Sequence, residues 1–334
     1  MKYQTLGNTG LEASVIGLGT WVTGGGSVWG TDPNDTESIK AIHVSLDNGV
    51  NLIDTAPAYG FGRSEEVIGK ALEGRRDKAV IATKCGLWWQ DDRGSFFVDN
   101  FDGKTLYRSL RPDTIRIEIE DSLRRLKTDY IDLYQTHWPA IEPDKTPIAE
   151  TMACLNSLKD QGKIRAIGVS NVSVEQLQAY QQHATIASNQ FRYSMLFRAP
   201  EEDMLPYCKA HDIATLTYMS LEQGLLTGKV GMDREFGQGE WRSNEDWNPW
   251  FKKINRPRIL DMLSSWSDLT DKYRCSLAQL VIAWTAVQPG VTHVLCGART
   301  ADQALANAQA SEIVLEAEDA KRMRNAVEAL KEPV

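Results

Sequence analysis

The chain has 334 residues, is 42% hydrophobic and 25% charged, and carries a formal charge of -8 with a pI near 5.3. This length suits one large α/β domain or two smaller ones, and the composition is that of a soluble globular protein. The acidic balance, with no basic cluster, argues against a nucleic-acid partner. The start "MKYQTLGNTG" lacks the apolar core of a signal peptide, and no apolar run is long enough to cross a bilayer. A cytoplasmic protein with no membrane partner is therefore expected. Cys85, Cys154, Cys208, Cys275 and Cys296 are too scattered for a metal-ligand set or a disulfide framework and read as thiols in a reducing compartment.

In chain order, the first fourteen residues, with a Gly-Asn-Thr-Gly turn, suit a small hairpin that seals the bottom of a larger fold. β-like runs follow at 15–20, 51–55, 79–84, 130–137, 164–170, 187–193, 213–218 and 291–297. Between them, Thr36–Asn48, Ser64–Ala71, Pro112–Leu126, Ile148–Lys159 and Val174–His183 alternate apolar and polar residues at helical spacing. Eight β/α units predict an α/β fold, a (β/α)8 TIM barrel with an N-terminal β-hairpin, as one domain over residues 1–334. A doubly wound open sheet is the structural alternative. The glycines of "GLGTWVTGGG" at 17–26 lack the spacing of a dinucleotide fingerprint. Two long connections, 86–110 and roughly 224–255, read as structureless loops at the C-terminal face, where catalytic groups of such barrels gather.

That geometry brings Asp54, Lys84, His137, Ser170, Asn171 and Tyr218 to one rim, with Tyr59 on the turn after Asp54. Taken singly, Asp54 reads as a turn-capping acid, Tyr59 as an aromatic plug, Lys84 as a solvated strand end and His137 as a core histidine. Together they make a proton-transfer set. A phenol that titrates near pH 10 becomes a usable acid beside an ammonium, which the carboxylate holds, while the imidazole donates to a substrate oxygen. Carbonyl reduction fits, and isomerase or lyase chemistry remains open until a cofactor is considered. No metal-binding or P-loop motif is present.

The segments "NLIDTAPAYGFGRSEEVIGKAL", "DSLRRLKTDYIDLYQTHWP", "GKIRAIGVSN", "QGLLTGK" and "GARTADQALAN" closely resemble the aldo-keto reductase superfamily over essentially the whole chain. The likeness is to bacterial reductases of the inositol-operon and general-stress type and to potassium-channel β-subunits. The resemblance implies a barrel that binds an extended nicotinamide dinucleotide, with Asp54, Tyr59, Lys84 and His137 as the catalytic tetrad. It places Ser170, Asn171 and Gln190 at the nicotinamide carboxamide and Tyr218 against its ring. Met219, Ser220, Leu221 and Gly224 would wrap the pyrophosphate; Met219 and Ser220 stand where relatives commonly carry Ser-Pro. Lys229 and Arg242 resemble phosphate-side residues, and Gly297, Arg299, Gln303 and Asn307 the adenosine-side motif. Arg299 suits a 2′-phosphate, so NADPH is expected over NADH.

Trp21, Trp88 and Trp138, each just beyond a strand, are candidate pocket walls for a small carbonyl substrate, possibly sugar-derived or polyol-related. Arg192 or an arginine of 86–110 is a candidate reader of an acidic group, with packing or solvation as the alternative. A homo-oligomer is possible. A different class of function, implied by the channel resemblance, is an NADPH-binding redox-sensing interaction protein with weak turnover.

Overall fold

In the computed structural model, which describes residues 1–29, 34–237 and 240–334, eight parallel strands close into a barrel. They are β1 (Ile16–Gly19), β2 (Leu52–Asp54), β3 (Val80–Cys85), β4 (Ile131–Thr136), β5 (Ile164–Ser170), β6 (Ile186–Arg192), β7 (Ala214–Tyr218) and β8 (His293–Gly297). Each pairs with the next in sequence, and β8 returns to β1 with Val294 opposite Ile16 and Gly297 opposite Gly19. The closure excludes the open-sheet alternative.

Side chains alternate across each strand, so one set fills the barrel and the other meets the helices. Leu52, Ala82, Leu133, Ala166, Ala187, Ala214, Leu216 and Leu295 form the inner cluster, joined from below by Leu6, Leu11 and Ala13. The latter belong to the predicted hairpin, Tyr3–Thr5 with Glu12–Ser14. Gly17 makes room inside: a Cβ there would stand 2.7 Å from Leu295 Cδ2 and 3.0 Å from Leu52 Cδ2. The outward set, including Ile53, Ile81, Tyr134, Ile167 and Ile186, packs on helical residues such as Ile42, Ile68, Ile119, Leu155 and Leu177.

The five expected helices are Asp35–Asp47, Arg63–Ala71, Pro112–Leu126, Ile148–Asp160 and Val174–Gln181. Pro112 begins its helix, where a missing N–H costs nothing, and Ser173 closes a capping box with Gln176. Met204–Ala210, Leu277–Ala286 and Ala301–Gln309 complete the crossovers. Among the described residues no helix is long and apolar enough to cross a membrane.

One expectation needs correction. Residues 86–110 are not structureless: Leu87–Trp88, Ser95–Phe101 and Lys104–Arg108 form a three-stranded antiparallel sheet. Asp102 and Gly103, with φ of 48° and 81°, make its two-residue turn. An Asp-Gly pair tolerates those left-handed angles and matches the twist of the flanking strands.

At the barrel's lower end His293 is buried, its Nδ1 3.1 Å from Ser14 O and its Nε2 without a partner. Burial lowers its pKa to about 4, against the opposing bond to Ser14 O. Below pH ~6.5 the unfolded imidazole takes a proton that the folded one refuses. Stability should therefore fall as the pH drops through 6.5 towards 4, by about 3 kcal/mol for this group at the lower limit. Urea unfolding of the wild type and His293→Asn across that window checks this; parallel pH profiles would contradict it.

Candidate active site

The turn after β2 is held by close backbone packing. A Cβ on Gly60 (φ +65°) would stand 2.2 Å from Gly24 O, and one on Gly24 2.5 Å from the Tyr59 carbonyl carbon. Below it, Thr20 Oγ1 donates to Asp54 O at 2.8 Å, Thr55 Oγ1 to Ser64 Oγ at 2.9 Å and Ser64 Oγ to Thr20 Oγ1 at 2.8 Å. Tyr59 is thus fixed by glycines on one side and a hydroxyl chain beneath.

Lys84, fully buried near the end of β3, uses all three of its N–H donors. They go to Asp54 Oδ1 at 2.7 Å, Thr55 O at 2.8 Å and Tyr59 Oη at 3.2 Å. Because the phenol oxygen accepts from Lys84, its own hydrogen stays available. The other carboxylate oxygen, Asp54 Oδ2, accepts from Gln190 Nε2 at 2.7 Å and Gln135 Nε2 at 3.3 Å. The His137 ring stands edge-on to Tyr59, centroids 5.8 Å apart. Burial, aided by the charges of Lys84 and Arg108, holds the His137 pKa well below its usual value, so the imidazole is neutral. Burial and then Asp54 push the Tyr59 pKa well above 10. The expected easing of the phenol towards phenolate by Lys84 is therefore outweighed, and Tyr59 rests as a protonated acid. Burial also lowers the Lys84 pKa, opposed by Asp54.

Around the rim, Ser170 Oγ donates to Gln190 O at 2.8 Å, and Asn171 Nδ2 to Ser170 Oγ and His137 O at 3.0 Å each. Tyr218 Oη donates to Asn171 Oδ1 at 2.7 Å. These four residues expected at the nicotinamide thus form one network. Beyond β7 the backbone is left-handed at Met219, Glu222, Gln223 and Gly224. Ser220 Oγ lies 3.8 Å from Cys296 Sγ, and Leu221 packs into the core. Gln223 leaves both ends of its amide buried without a partner. Lys229 is exposed beyond this turn.

At the end of β8, Arg299 N–H donates to Gln303 Oε1 at 2.8 Å and Asn307 Nδ2 to Gly297 O at 3.1 Å, setting the turn into Ala301–Gln309. Arg299 Nη2 donates to Trp29 O at 3.2 Å. The guanidiniums of Arg299 and Arg242 lie 5.5 and 5.8 Å from the Trp29 ring, and Arg242 is ion-paired with Glu240. Burial, then the charge of Arg242, lowers the Arg299 pKa.

Trp21 lies 6.1 Å from the Tyr59 ring and edge-on to Trp29 and Trp241, at 5.3 and 5.5 Å, so the second long loop reaches over it. Trp138 is half-buried beside Phe97 and Arg108. Trp88, in the hairpin sheet, is 1% exposed, with Nε1 donating to Asp91 Oδ1 at 2.6 Å and the Arg93 guanidinium 4.9 Å from its ring. Sequence reasoning missed Trp29, Gln135 and the Gly24–Gly60 contact. Only Gln135 left a signal, a polar residue inside an apolar strand.

A parallel barrel with a buried ammonium, a carboxylate, a protonated phenol and a neutral imidazole at the carboxyl ends of β2–β4 makes a proton-donating site. A profile of the Aldo/keto reductase family matches residues 15–328, and the chain belongs to that family. It is 42% identical over 331 residues to the NADH-specific methylglyoxal reductase of Escherichia coli K12, covering 99% of each chain. The structure of glycerol dehydrogenase AKR11B4 from Gluconobacter oxydans superposes with a TM-score of 0.85 at 39% identity, over 97% of this chain and 94% of that one. An aldo-keto reductase from Klebsiella pneumoniae in complex with NADPH gives a TM-score of 0.72 at 27% identity, over 97% and 95%. The protein is an NAD(P)H-dependent aldo-keto reductase.

Proposed function

We propose that this chain, acting in the cytoplasm as one barrel domain over residues 1–334, reduces an aldehyde or ketone with NADPH, Tyr59 being the general acid. The observation that carries the reading is the donor count at Lys84: its three N–H bonds reach Asp54, Thr55 and Tyr59, which leaves the phenolic hydrogen for a substrate oxygen. As that proton leaves, Lys84 stabilises the phenolate and Asp54 balances Lys84. Neutral His137 orients the same oxygen through a ring N–H.

The residues fit a nicotinamide dinucleotide, which when bound supplies hydride to the carbonyl carbon. The partnerless amide of Gln223 offers unmet polar groups after β7, and the space at Gly224 is open, with nothing within 4 Å of where a Cβ would stand. Ser170, Asn171, Gln190 and Tyr218 would hold the nicotinamide, and Met219, Ser220, Leu221 and Gly224 the pyrophosphate. Lys229, Arg242, Gly297, Arg299, Gln303 and Asn307 would take the phosphate and adenosine side, where the first turn of Ala301–Gln309 offers backbone N–H groups.

The Klebsiella relative holds NADPH, whereas the name of the E. coli relative specifies NADH. The convergence of Arg299 and Arg242 at Trp29 favours the extra phosphate. Arg299→Ala should weaken NADPH binding by about tenfold or more and NADH binding much less, because a charge-assisted bond is worth ~1.5 kcal/mol or more. Direct titration of both cofactors checks this, and equal losses would remove the assignment.

Small polar aldehydes, sugar-derived ones among them, are favoured over bulky lipophilic ones, in line with the substrates for which the methylglyoxal reductase and glycerol dehydrogenase relatives are named. A kcat/KM panel of sugar-derived, short and aromatic aldehydes with both cofactors tests the reading. No turnover of any member by folded, cofactor-binding protein would sink it.

A further inference from the structure

Arg108 ends the strand Lys104–Arg108, and its guanidinium carbon lies 4.6 Å from the Phe97 ring centroid and 4.7 Å from that of Trp138. The two centroids are only 6.0 Å apart. Rings stacked on opposite faces of the guanidinium would stand ~9 Å from each other. Both therefore lie to one side, forming a notch that leaves the guanidinium's other side uncovered by them.

No carboxylate meets this charge among the described residues, and its Nε is buried without a partner. Other arginines differ. Arg93 is ion-paired with Asp91 and Asp113, Arg111 with Asp113 and Asp144, and Arg192 with Glu222. Burial lowers the Arg108 pKa, with no counter-charge to oppose it. A half-buried guanidinium with unmet donors is unfavourable unless something supplies acceptors.

The position is fixed. Ser95 Oγ donates to Ile141 O at 2.6 Å and accepts from Asp144 N at 2.9 Å, tying the hairpin to the segment after β4. Trp138 directly follows His137, and the charge of Arg108 is near enough to depress the His137 pKa. The Arg108 guanidinium, against the ring of the residue that follows His137, is thus within electrostatic reach of the imidazole assigned to the substrate oxygen.

We propose that Arg108 reads an anionic group on the substrate, so that the preferred carbonyl compounds carry a carboxylate or phosphate a few bonds from the aldehyde or ketone. This rests on the reductase reading above and narrows its polar class to anionic members. A planar guanidinium binds such oxyanions through paired N–H donors, while Phe97 and Trp138 hold it from one side.

The test uses matched pairs: succinic semialdehyde against butanal for a carboxylate, and glyceraldehyde 3-phosphate against glyceraldehyde for a phosphate. In the wild type, kcat/KM should favour the anionic member of at least one pair by about tenfold or more, and the pair that shows it identifies the oxyanion. In Arg108→Met, which keeps an apolar stem against the two rings, that ratio should collapse towards one, chiefly through KM. Arg108→Lys should recover part of it.

Absence of anionic preference in both wild-type pairs, or its survival in Arg108→Met, would overturn the assignment. If the methionine variant does not fold, inhibition of wild-type butanal reduction decides. Competitive inhibition by butyrate or glycerol phosphate beyond that by butanol or glycerol supports the proposal, and equal inhibition overturns it. Turnover of neutral aldehydes without anion discrimination sinks this inference alone, whereas no turnover of any aldehyde sinks the reductase reading and this one with it.

Discussion

Tyr59→Phe should lower carbonyl turnover by about 10²–10⁴-fold while leaving most cofactor affinity in place. The substitution keeps the ring that stands 6.1 Å from Trp21 and 5.8 Å from His137 and removes only the hydroxyl. That hydroxyl is the acceptor of the Lys84 bond and, with its pKa held well above 10 by burial and Asp54, the protonated acid of the site. Single-turnover reduction with saturating NADPH separates proton transfer from binding and product release. A near-wild-type rate in that experiment would assign the proton to another group.

Lys84→Met should damage both chemistry and fold. Removing one partner of a buried ion pair strands the other, at a typical cost of ~3–5 kcal/mol. Here Asp54 would keep its bonds from Gln190 and Gln135, which places the expected loss at the lower end of that range. Urea unfolding measures it. The double variant Asp54→Asn/Lys84→Met should regain stability by removing the stranded charge, yet remain catalytically impaired because nothing then supports the phenolate left when the proton is given up. A single Lys84→Met variant as stable as the wild type would contradict the pairing.

Much of the architecture was legible because it rests on short-range patterns. Each apolar run ends where its strand ends, so Asp54 and His137 could be placed at strand ends and Lys84 beside one from "NLID", "YIDLYQTH" and "VIATK" alone. The hairpin sheet at 86–110 was also readable in its Asp102-Gly103 turn, which the length of the segment obscured. Contacts between distant segments were not. Nothing local says that Gly24 will press on Gly60, or that Trp138 will line a notch while Trp88 is covered and bonded to Asp91. The same holds for Arg108 and Arg192. One lacks a counter-ion and the other pairs with Glu222, thirty residues away in sequence, so their difference exists only in the folded chain.

The two oxygens of Asp54 serve different clients: one braces Lys84, the other binds the side chain of Gln190, a residue assigned to the nicotinamide end. Cofactor recognition and acid strength are then not separate traits that selection can adjust one at a time. A substitution at Gln190 that changes the grip on the nicotinamide, which both cofactors share, also alters the field at Tyr59. Laboratory evolution of cofactor choice in this barrel should advance more readily through the Arg299 end, which touches no member of the acid set, than through β6.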